Sequence, residues 1–233
     1  MINALKTQIA DFRLKRGFRI LSENLKKVNP SLKTNEAIEF LFSKKGTLIT
    51  PWQFRSEITN LFSLYESLKV KYALEIGTAN GGTLFGHCRL AEPNATIISV
   101  DLPGGQFGGG YPDWKVPIYK GFAQPGQSLH LMRASSHESS TIEKVKGILN
   151  ENKLDYLFID GDHTYEGVKK DFELYSPFVK KGGVIVFHDI VPHAGSSCKV
   201  DEFWRGIKQK YEHKEFIDRP DQNCFGVGVI FYK

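Results

Sequence analysis

The feature that most constrains the fold is a glycine-rich stretch, residues 72–84, which reads YALEIGTANGGTL. An apolar run with an acid near its end leads into a loop with three glycines, and an apolar segment then resumes. This order predicts a buried strand, a tight turn and the start of a helix. Glycine is needed where the backbone turns with positive φ or where a ligand touches the main chain. We therefore predict a small-molecule site at the carboxyl end of a parallel strand.

The spacing of the glycines limits which ligands the loop can bind. Gly77-x-x-x-Gly81-Gly82 differs from the dinucleotide fingerprint, and no Lys-Ser/Thr pair follows it as in a phosphate loop. The upstream acid Glu75 would repel a pyrophosphate but suits a cationic group. The next apolar run ends in Asp101, which is placed to accept both hydroxyls of a ribose. These features indicate a nucleoside with a cationic tail, and S-adenosylmethionine fits; the alternative is that the loop is only a turn.

Composition and charge bound the class of protein. The chain has 233 residues, of which 41% are hydrophobic, enough for one domain with its own core. No apolar run approaches the length of a membrane span. The three cysteines have neither disulfide nor zinc spacing, so we expect a cytoplasmic protein. The formal charge of +5 is spread along the chain, so nucleic acid is not an expected partner.

Polar residues follow the later apolar runs as well. Asp160 ends one run, and His188-Asp189 ends the next, after a Lys-Lys-Gly-Gly sequence at residues 180–183 that is typical of a helix stop. Parallel strands place their carboxyl ends side by side, so these side chains should meet near the glycine loop. Carboxylates with waters would favour Mg²⁺, and the histidine shifts the preference toward Mn²⁺, Fe²⁺ or Zn²⁺. The alternative is that Asp160 caps the next helix and His188-Asp189 hydrogen-bonds the sheet edge.

A second glycine-rich segment follows Asp101. Five of the seven residues 104–110 are glycine, and Phe107, Tyr111 and Trp114 lie within or just after them. Such a segment cannot hold a helix or a strand, and a long loop in a compact domain is often functional. We interpret it as a mobile flap beside the ligand.

At this point the chain resembles a known group of enzymes. LEIGTANGG, followed by SVDLPGG, is similar to the first two motifs of class I S-adenosylmethionine-dependent methyltransferases. With GGGYPDW, SSH, FIDGDHTYEGVKKDF and VIVFHDI, the chain resembles the cephalosporin-hydroxylase-like methyltransferases over residues from about 50 to 233.

The resemblance implies a fold and a cofactor site. The fold is a Rossmann-like, three-layer α/β sandwich with a seven-stranded, mostly parallel sheet whose last strand is antiparallel. An N-terminal helical extension, residues 1–49, precedes the methyltransferase domain, residues 50–233. Ser136-His137 would lie by the adenine ring, where Ser135 stands in place of the family's usual acid. The cofactor-binding residues implied are Glu75, Gly77, Thr78, Asn80, Gly81, Asp101, Ser136, His137 and Asp160.

The strand ends are also similar in spacing to catechol O-methyltransferase and related metal-dependent enzymes. By position, Asp160, His188 and Asp189 become the ligands of a divalent metal, Mg²⁺ or Mn²⁺. The family's catalytic lysine is replaced by His163. An imidazole near its normal pKa accepts a proton at neutral pH, so His163 is the candidate general base. His193 is a weaker second candidate, and we expect it to be a solvent-exposed loop histidine.

The function predicted is metal-assisted methyl transfer from S-adenosylmethionine to a hydroxyl of a small-molecule acceptor, a sugar or natural product. One alternative is a metal-dependent oxygenase or hydrolase on the same fold. Another is a non-catalytic binding module of a biosynthetic complex, joined to a partner through its N-terminal residues. The acceptor is not identified by any motif, and a homo-oligomer stays open.

Overall fold

The computed structural model describes residues 2–104 and 110–233, with side chains from Lys6 onward. Within these residues the chain forms eight α-helices and seven β-strands. The helices are α1 (Ile2–Leu25), α2 (Thr34–Leu41), α3 (Arg55–Ser67), α4 (Gly82–Leu90), α5 (Val116–Lys120), α6 (Ser139–Leu149), α7 (Tyr165–Tyr175) and α8 (Val200–Ile207). The strands are β1 (Tyr72–Ile76), β2 (Thr96–Asp101), β3 (Ser128–Arg133), β4 (Leu154–Ile159), β5 (Val179–His188), β6 (Glu212–Phe216) and β7 (Val227–Phe231).

The strands form one sheet in the order β3-β2-β1-β4-β5-β7-β6. Strands β1 to β5 pair in parallel, and β7 runs antiparallel to both of its neighbours, β5 and β6. This confirms the predicted α/β fold with an antiparallel last strand. The strand order reverses between β1 and β4, which makes a crevice at their carboxyl ends where open α/β sheets bind ligands.

Helices cover both faces of the sheet. Along β1, Ala73 packs into one buried cluster and its neighbours Leu74 and Ile76 pack into the other. β4 divides in the same way, with Phe158 on the first face and Leu157 on the second. A strand buried on both faces needs apolar residues at nearly every position, which explains the unbroken apolar runs in the sequence.

The predicted helix stop at residues 180–183 is wrong. Helix α7 ends at Tyr175, a short 3-10 turn follows, and the Lys-Lys-Gly-Gly sequence belongs to β5. Val179 pairs with Leu154 before the register shifts, and the Gly182 N–H donates to the Tyr232 carbonyl at 2.7 Å. Pairing with strands on both sides therefore outweighs a local sequence that is typical of a helix end.

The N-terminal helix changes character along its length. Phe18 and Leu21 are buried in the same cluster as Ala73 of the sheet, whereas Ile9 and Phe12 are exposed. The division of the chain at residue 49 stays a prediction. Across the described residues, no helix has both the length and the apolar character needed to cross a bilayer.

The second glycine-rich segment, which we interpret as a flap, lies only partly within the described residues. Residues 105–109, including Phe107, lie outside the described residues, so the prediction of mobility stays untested. After them, Tyr111 is buried with its ring centroid 4.8 Å from that of Tyr119, and Trp114 packs edge-on against Phe18. The two later aromatics of this segment are therefore part of the folded body.

Candidate functional site

A cavity of about 490 Å³ opens at the carboxyl edge of the sheet, around the switch between β1 and β4. Most of its lining comes from the ends of β1 to β5 and the loops that follow them, and the rest from the segments before α3 and β7. The lining residues are Trp52, Ile76, Gly77, Ala79, Val100, Asp101, Leu102, Gly104, Ala134, Ser135, Ser136, His137, Asp160, Gly161, Asp162, His163, His188, Asp189, His193 and Phe225.

The glycine loop forms one wall of the cavity. Gly77 has a φ of +89°, and a Cβ there would lie 1.9 Å from the Asp160 carbonyl oxygen. The Gly77 N–H donates to the Val100 carbonyl and the Asp160 N–H to the Ile76 carbonyl, both at 2.8 Å. The chain therefore requires glycine at position 77 because the loop is held tightly between β2 and β4.

The other predicted loop residues take different places. Gly81, with a φ of +85°, is the residue that precedes α4, and Thr78 lies against Ser99 with their hydroxyls in hydrogen-bond contact. Thr78 and Asn80 line a small adjoining cavity together with Gly77. Thus Gly77 borders both cavities, and Gly81 sets the entry to the helix.

Asp101 lies at the end of β2 and lines the cavity, as the ribose prediction requires. Its Oδ2 accepts a hydrogen bond from the Ala79 N–H and its Oδ1 from the Gly110 N–H, both at 3.1 Å. Burial raises the pKa of this carboxyl to about 6, while the N–H donors oppose that shift. Asp101 thus connects the glycine loop to the second glycine-rich segment.

Glu75, the other predicted acid on this side, is fully buried beneath the loop and lies outside the residues that line the cavity. Its Oε2 is 2.8 Å from Nδ1 of His87, a buried residue of α4. Burial raises the pKa of Glu75, and the contact with His87 opposes that effect. The predicted contact between Glu75 and a cofactor stays a prediction.

Ser136 and His137 follow β3 and are held by a residue that the sequence reasoning missed, Asp171 of α7. Asp171 is fully buried; its Oδ1 accepts from Ser136 Oγ at 2.6 Å and lies 3.2 Å from His137 Nε2. The Tyr175 hydroxyl donates to the Ser136 carbonyl at 2.7 Å. The Asp171 hydrogen bond raises the pKa of His137. A carboxylate is therefore present behind Ser136 and His137, although Ser135 is not acidic.

The β4–β5 side of the cavity gathers the predicted acids and histidines. His188 Nδ1 lies 3.0 Å from Asp160 Oδ1, and His163 lies between the acids, with Nε2 3.3 Å from Asp160 Oδ1 and Nδ1 3.1 Å from Asp189 Oδ2. Burial would raise the pKa of Asp160, but His188 and His163 outweigh it and hold that pKa below its usual range. Burial alone would lower the pKa of His188, but the charges of Asp160 and Asp189 outweigh burial and raise this pKa to about 9.

His193 is not the solvent-exposed histidine that we expected, because its side chain lines the cavity and is 15% exposed. Its Nε2 accepts a hydrogen bond from the Phe225 N–H at 2.9 Å, which leaves the ring proton on Nδ1 when the imidazole is neutral. The Phe225 ring stacks on His188 at a centroid distance of 5.7 Å. The stretch before β7 therefore fixes two histidines of the cavity.

The predicted metal ligands are close enough together to share an ion. Side-chain ligand atoms of Asp160, His188 and Asp189 all lie within 4.8 Å of one another. Among the described residues, Asp189 Oδ1 and His188 Nε2 are buried atoms without a hydrogen-bond partner, although Asp189 Oδ1 lies 3.4 Å from histidine nitrogens. Two carboxylates and an imidazole are donors that Mn²⁺, Fe²⁺ and Zn²⁺ accept, so the residues present fit a divalent ion.

An open α/β sheet with a polar cavity at its topological switch defines a Rossmann-like small-molecule domain. Residues 74–190, half of the chain, match the family described as a methyltransferase domain, and the chain belongs to that family. The match spans the glycine loop, Asp101, Asp160 and the His188-Asp189 pair.

Two proteins with related sequences carry descriptions without an activity. An uncharacterised protein of Acanthamoeba polyphaga mimivirus is 34% identical over 135 residues, which is 57% of this chain and 57% of that protein. An uncharacterised protein of Sinorhizobium fredii is 26% identical over 176 residues, which is 72% of this chain and 18% of that protein. This chain therefore spans less than two thirds of either relative.

Solved structures share the fold at low identity. The O-methyltransferase from Bacillus cereus, solved in complex with S-adenosylhomocysteine, superposes with a TM-score of 0.57 over 99% of this chain and 100% of that chain. The identity is 11%, so this likeness shows the fold alone.

Proposed function

We propose that this methyltransferase domain transfers a methyl group from S-adenosylmethionine to a hydroxyl of a small-molecule acceptor. The observation that carries the proposal is that one cavity joins two sets of residues. The glycine loop and Asp101 lie on one side, and His163 with Asp160 and Asp189 lies on the other. A nucleoside cofactor and an acid–base group would therefore share the same cavity.

The first set supports the cofactor. Asp101 is an acceptor at the position where strand-end acids bind a ribose, and Gly77 lets the ligand approach the main chain. The Bacillus cereus neighbour was solved with S-adenosylhomocysteine, which makes that product the natural probe. Ser136 and His137 are assigned to the adenine end, with Asp171 behind them.

The second set supports the chemistry. The acceptor oxygen attacks the methyl carbon, the carbon–sulfur bond breaks, and its electron pair stays on sulfur to give S-adenosylhomocysteine. His163 takes the proton from the acceptor hydroxyl on Nε2, while Asp189, 3.1 Å from Nδ1, orients the imidazole. Burial lowers the pKa of His163, but Asp160 and Asp189 outweigh burial and raise it above the normal value that the sequence suggested, so the neutral base forms as the pH rises through the raised pKa. Holding oxygen, carbon and sulfur in line supplies much of the rate.

A divalent ion fits the same wall. Asp160, His188 and Asp189 would hold it. Such an ion acts as a Lewis acid that lowers the pKa of a bound hydroxyl.

Calorimetric titration with S-adenosylmethionine and S-adenosylhomocysteine, with and without Mg²⁺ or Mn²⁺, tests the proposal. We expect micromolar binding, about −8 kcal/mol, and a clear loss in Asp101→Ala. Normal binding by Asp101→Ala would remove the ribose assignment. If neither ligand bound the unaltered protein under any of these conditions, the proposal that the protein is an active methyltransferase would be wrong.

A further inference from the structure

A buried cysteine lies beside His163, behind the surface of the cavity. Cys198 is 6% exposed, packs in a buried apolar cluster and lies outside the described residues that line the cavity. Ligand atoms of His163, Asp189 and Cys198 all lie within 4.8 Å of one another. The three residues follow β4, follow β5 and precede α8, so no spacing in the sequence indicates that they meet.

The backbone holds Cys198 beside His163. The Lys199 N–H donates to the His163 carbonyl at 2.7 Å, which joins the residue after the thiol to the residue that carries the imidazole. The Cys198 N–H donates to Ser196 Oγ at 3.1 Å. The position of the thiol is therefore set by hydrogen bonds of the main chain, and it does not depend on the rotamer of a flexible surface side chain.

Asp189 turns one carboxylate oxygen toward each of two groups of side chains. Its Oδ2 lies 3.1 Å from His163 Nδ1, and its Oδ1 lies 3.4 Å from His188 Nδ1. The side chain is buried, and among the described residues Oδ1 has no hydrogen-bond partner. Asp189 can therefore ligate an ion with Asp160 and His188 through one oxygen, and an ion with His163 and Cys198 through the other.

The spacing of the second group suits a tetrahedral ion. Around Zn²⁺, sulfur at about 2.3 Å with nitrogen and oxygen at about 2.0–2.2 Å places neighbouring ligand atoms about 3.3–3.6 Å apart. His163 Nδ1 and Asp189 Oδ2 are already 3.1 Å apart. The set therefore needs to close by only about 1 Å around the ion, and the fourth position is left for water.

The sulfur of Cys198 decides which ion this group prefers. Thiolate is a soft ligand that selects Zn²⁺, whereas Mg²⁺ and Mn²⁺ prefer oxygen ligands. Binding forms a metal–sulfur bond, and the thiol proton leaves to solvent. The two groups that share Asp189 should therefore differ in the ions that they bind.

We propose that His163, Asp189 and Cys198 form an inhibitory site for a thiophilic divalent ion such as Zn²⁺. The inhibition rests on the proposed role of His163 in methyl transfer, whereas the binding of the ion does not. An ion on Nδ1 takes the lone pair of that nitrogen, so the neutral ring carries its proton on Nε2. Nε2 is then a hydrogen-bond donor and cannot take the proton of an acceptor hydroxyl.

Co²⁺ tests whether the thiol is a ligand, because a cobalt–thiolate bond gives an intense charge-transfer absorption in the near ultraviolet. The variants are Cys198→Ser and Cys198→Ala, with circular dichroism to confirm that each is folded. Cys224→Ser is the matched control, since Cys224 is another free cysteine and belongs to neither group of ligands. We expect the band in the unaltered protein and in Cys224→Ser, its displacement by Zn²⁺, and its loss in both Cys198 variants.

Calorimetry and NMR measure the affinity and the state of the ring. Cys198→Ser should weaken Zn²⁺ at least about tenfold. Affinity for Mn²⁺ should stay within about threefold, since Asp160 and His188 are unchanged. NMR of the protein with labelled histidine, assigned by comparison with His163→Ala, should show a proton on Nε2 of His163 when Zn²⁺ is bound.

The metal site would be overturned by a cobalt complex without the thiolate band, by a band that persists in both Cys198 variants, or by unchanged Zn²⁺ affinity in them. An Nε2 that carries no proton in the zinc form would overturn the inhibition. Failure of S-adenosylhomocysteine to bind the unaltered protein would remove the methyltransferase proposal instead, and the cobalt band would still decide whether the metal site exists.

Discussion

The two sides of the cavity hold their acids in different ways. On the β1–β2 side, Asp101 accepts hydrogen bonds from the backbone of Ala79 and Gly110. On the β4–β5 side, Asp160 and Asp189 face the imidazoles of His163 and His188. The first arrangement depends on where the main chain runs, and the second on which side chains are present. On the β4–β5 side, side-chain substitutions should therefore change the rate of methyl transfer without changing cofactor binding. On the β1–β2 side, changes to the backbone should weaken cofactor binding.

The largest effect is expected from the histidine between the two acids. His163→Ala should lower kcat by about 10²- to 10⁴-fold, the usual contribution of a general base. Affinity for S-adenosylhomocysteine should stay within a few-fold, because the nucleoside side is untouched. Titration calorimetry and a methyl-transfer assay measure the two quantities.

His193→Ala is the control for His163→Ala, since it removes another lining imidazole whose Nε2 is occupied by the Phe225 N–H. We expect His193→Ala to lower kcat much less than His163→Ala does. A His163→Ala variant with unaltered kcat would remove this residue from the chemistry.

The backbone side should be broken at Gly77. Gly77→Ala puts a Cβ within 1.9 Å of a carbonyl oxygen at a φ of +89°. Positive φ alone costs about 1–3 kcal/mol for such a residue, so we expect a lower Tm and at least tenfold weaker binding of S-adenosylhomocysteine. Differential scanning fluorimetry and calorimetry report the two changes.

Gly147→Ala is the matched control, because a Cβ at this position in α6 meets no atom within 4 Å. It should raise stability by about 0.4–1 kcal/mol. If both variants behaved alike, the tight fit of the glycine loop would not matter for binding.

A smaller effect is expected from protonation of Asp101. Burial raises its pKa to about 6, so the carboxyl takes up a proton as the pH falls through 6 and loses acceptor capacity for a ribose. Affinity for S-adenosylhomocysteine should fall about tenfold between pH 7 and pH 5. Asp101→Asn should bind weakly with a flat pH profile over this range; a profile unchanged from that of the unaltered protein would contradict the assignment.

The smallest effect concerns the carboxylate behind the predicted adenine contacts. The hydrogen bond to Asp171 raises the pKa of His137. The stabilisation of the fold by this contact is therefore complete below the ordinary histidine pKa and is lost as the pH rises through the raised value. Asp171→Asn should lower the pKa of His137 and weaken the binding of S-adenosylhomocysteine about threefold. NMR titration measures the change in pKa. Asp113→Asn, at an exposed ion pair with Arg133, should leave the His137 titration unchanged.

The strand ends could be predicted because parallel strands share one carboxyl edge. A run of apolar residues followed by an acid is visible in the sequence, so Asp101, Asp160 and Asp189 could be expected at one edge, and the structure brings them to one cavity. The glycine loop could be predicted for the same reason, since its residues are consecutive and their conformational requirement is local.

Other residues carried no such signal. Asp171 and His87 lie on helices, and their contacts depend on how each helix is rotated against the sheet. Trp52 is brought to the cavity by packing between residues 49–51 and Gly82, which are far apart in sequence. Residues 180–183 have the local pattern of a helix end, and only pairing with neighbouring strands decides otherwise.

The position of β7 has a consequence for how the protein is made. Among the described strands, Val227–Phe231 comes latest in the sequence, yet it lies between β5 and β6 and pairs with His188 on the β4–β5 side of the cavity. During synthesis β5 and β6 therefore emerge before the strand that joins them. The glycine loop needs only β1, β2 and β4, whereas the side of the cavity that holds His188 and His193 is completed only after β7 has emerged.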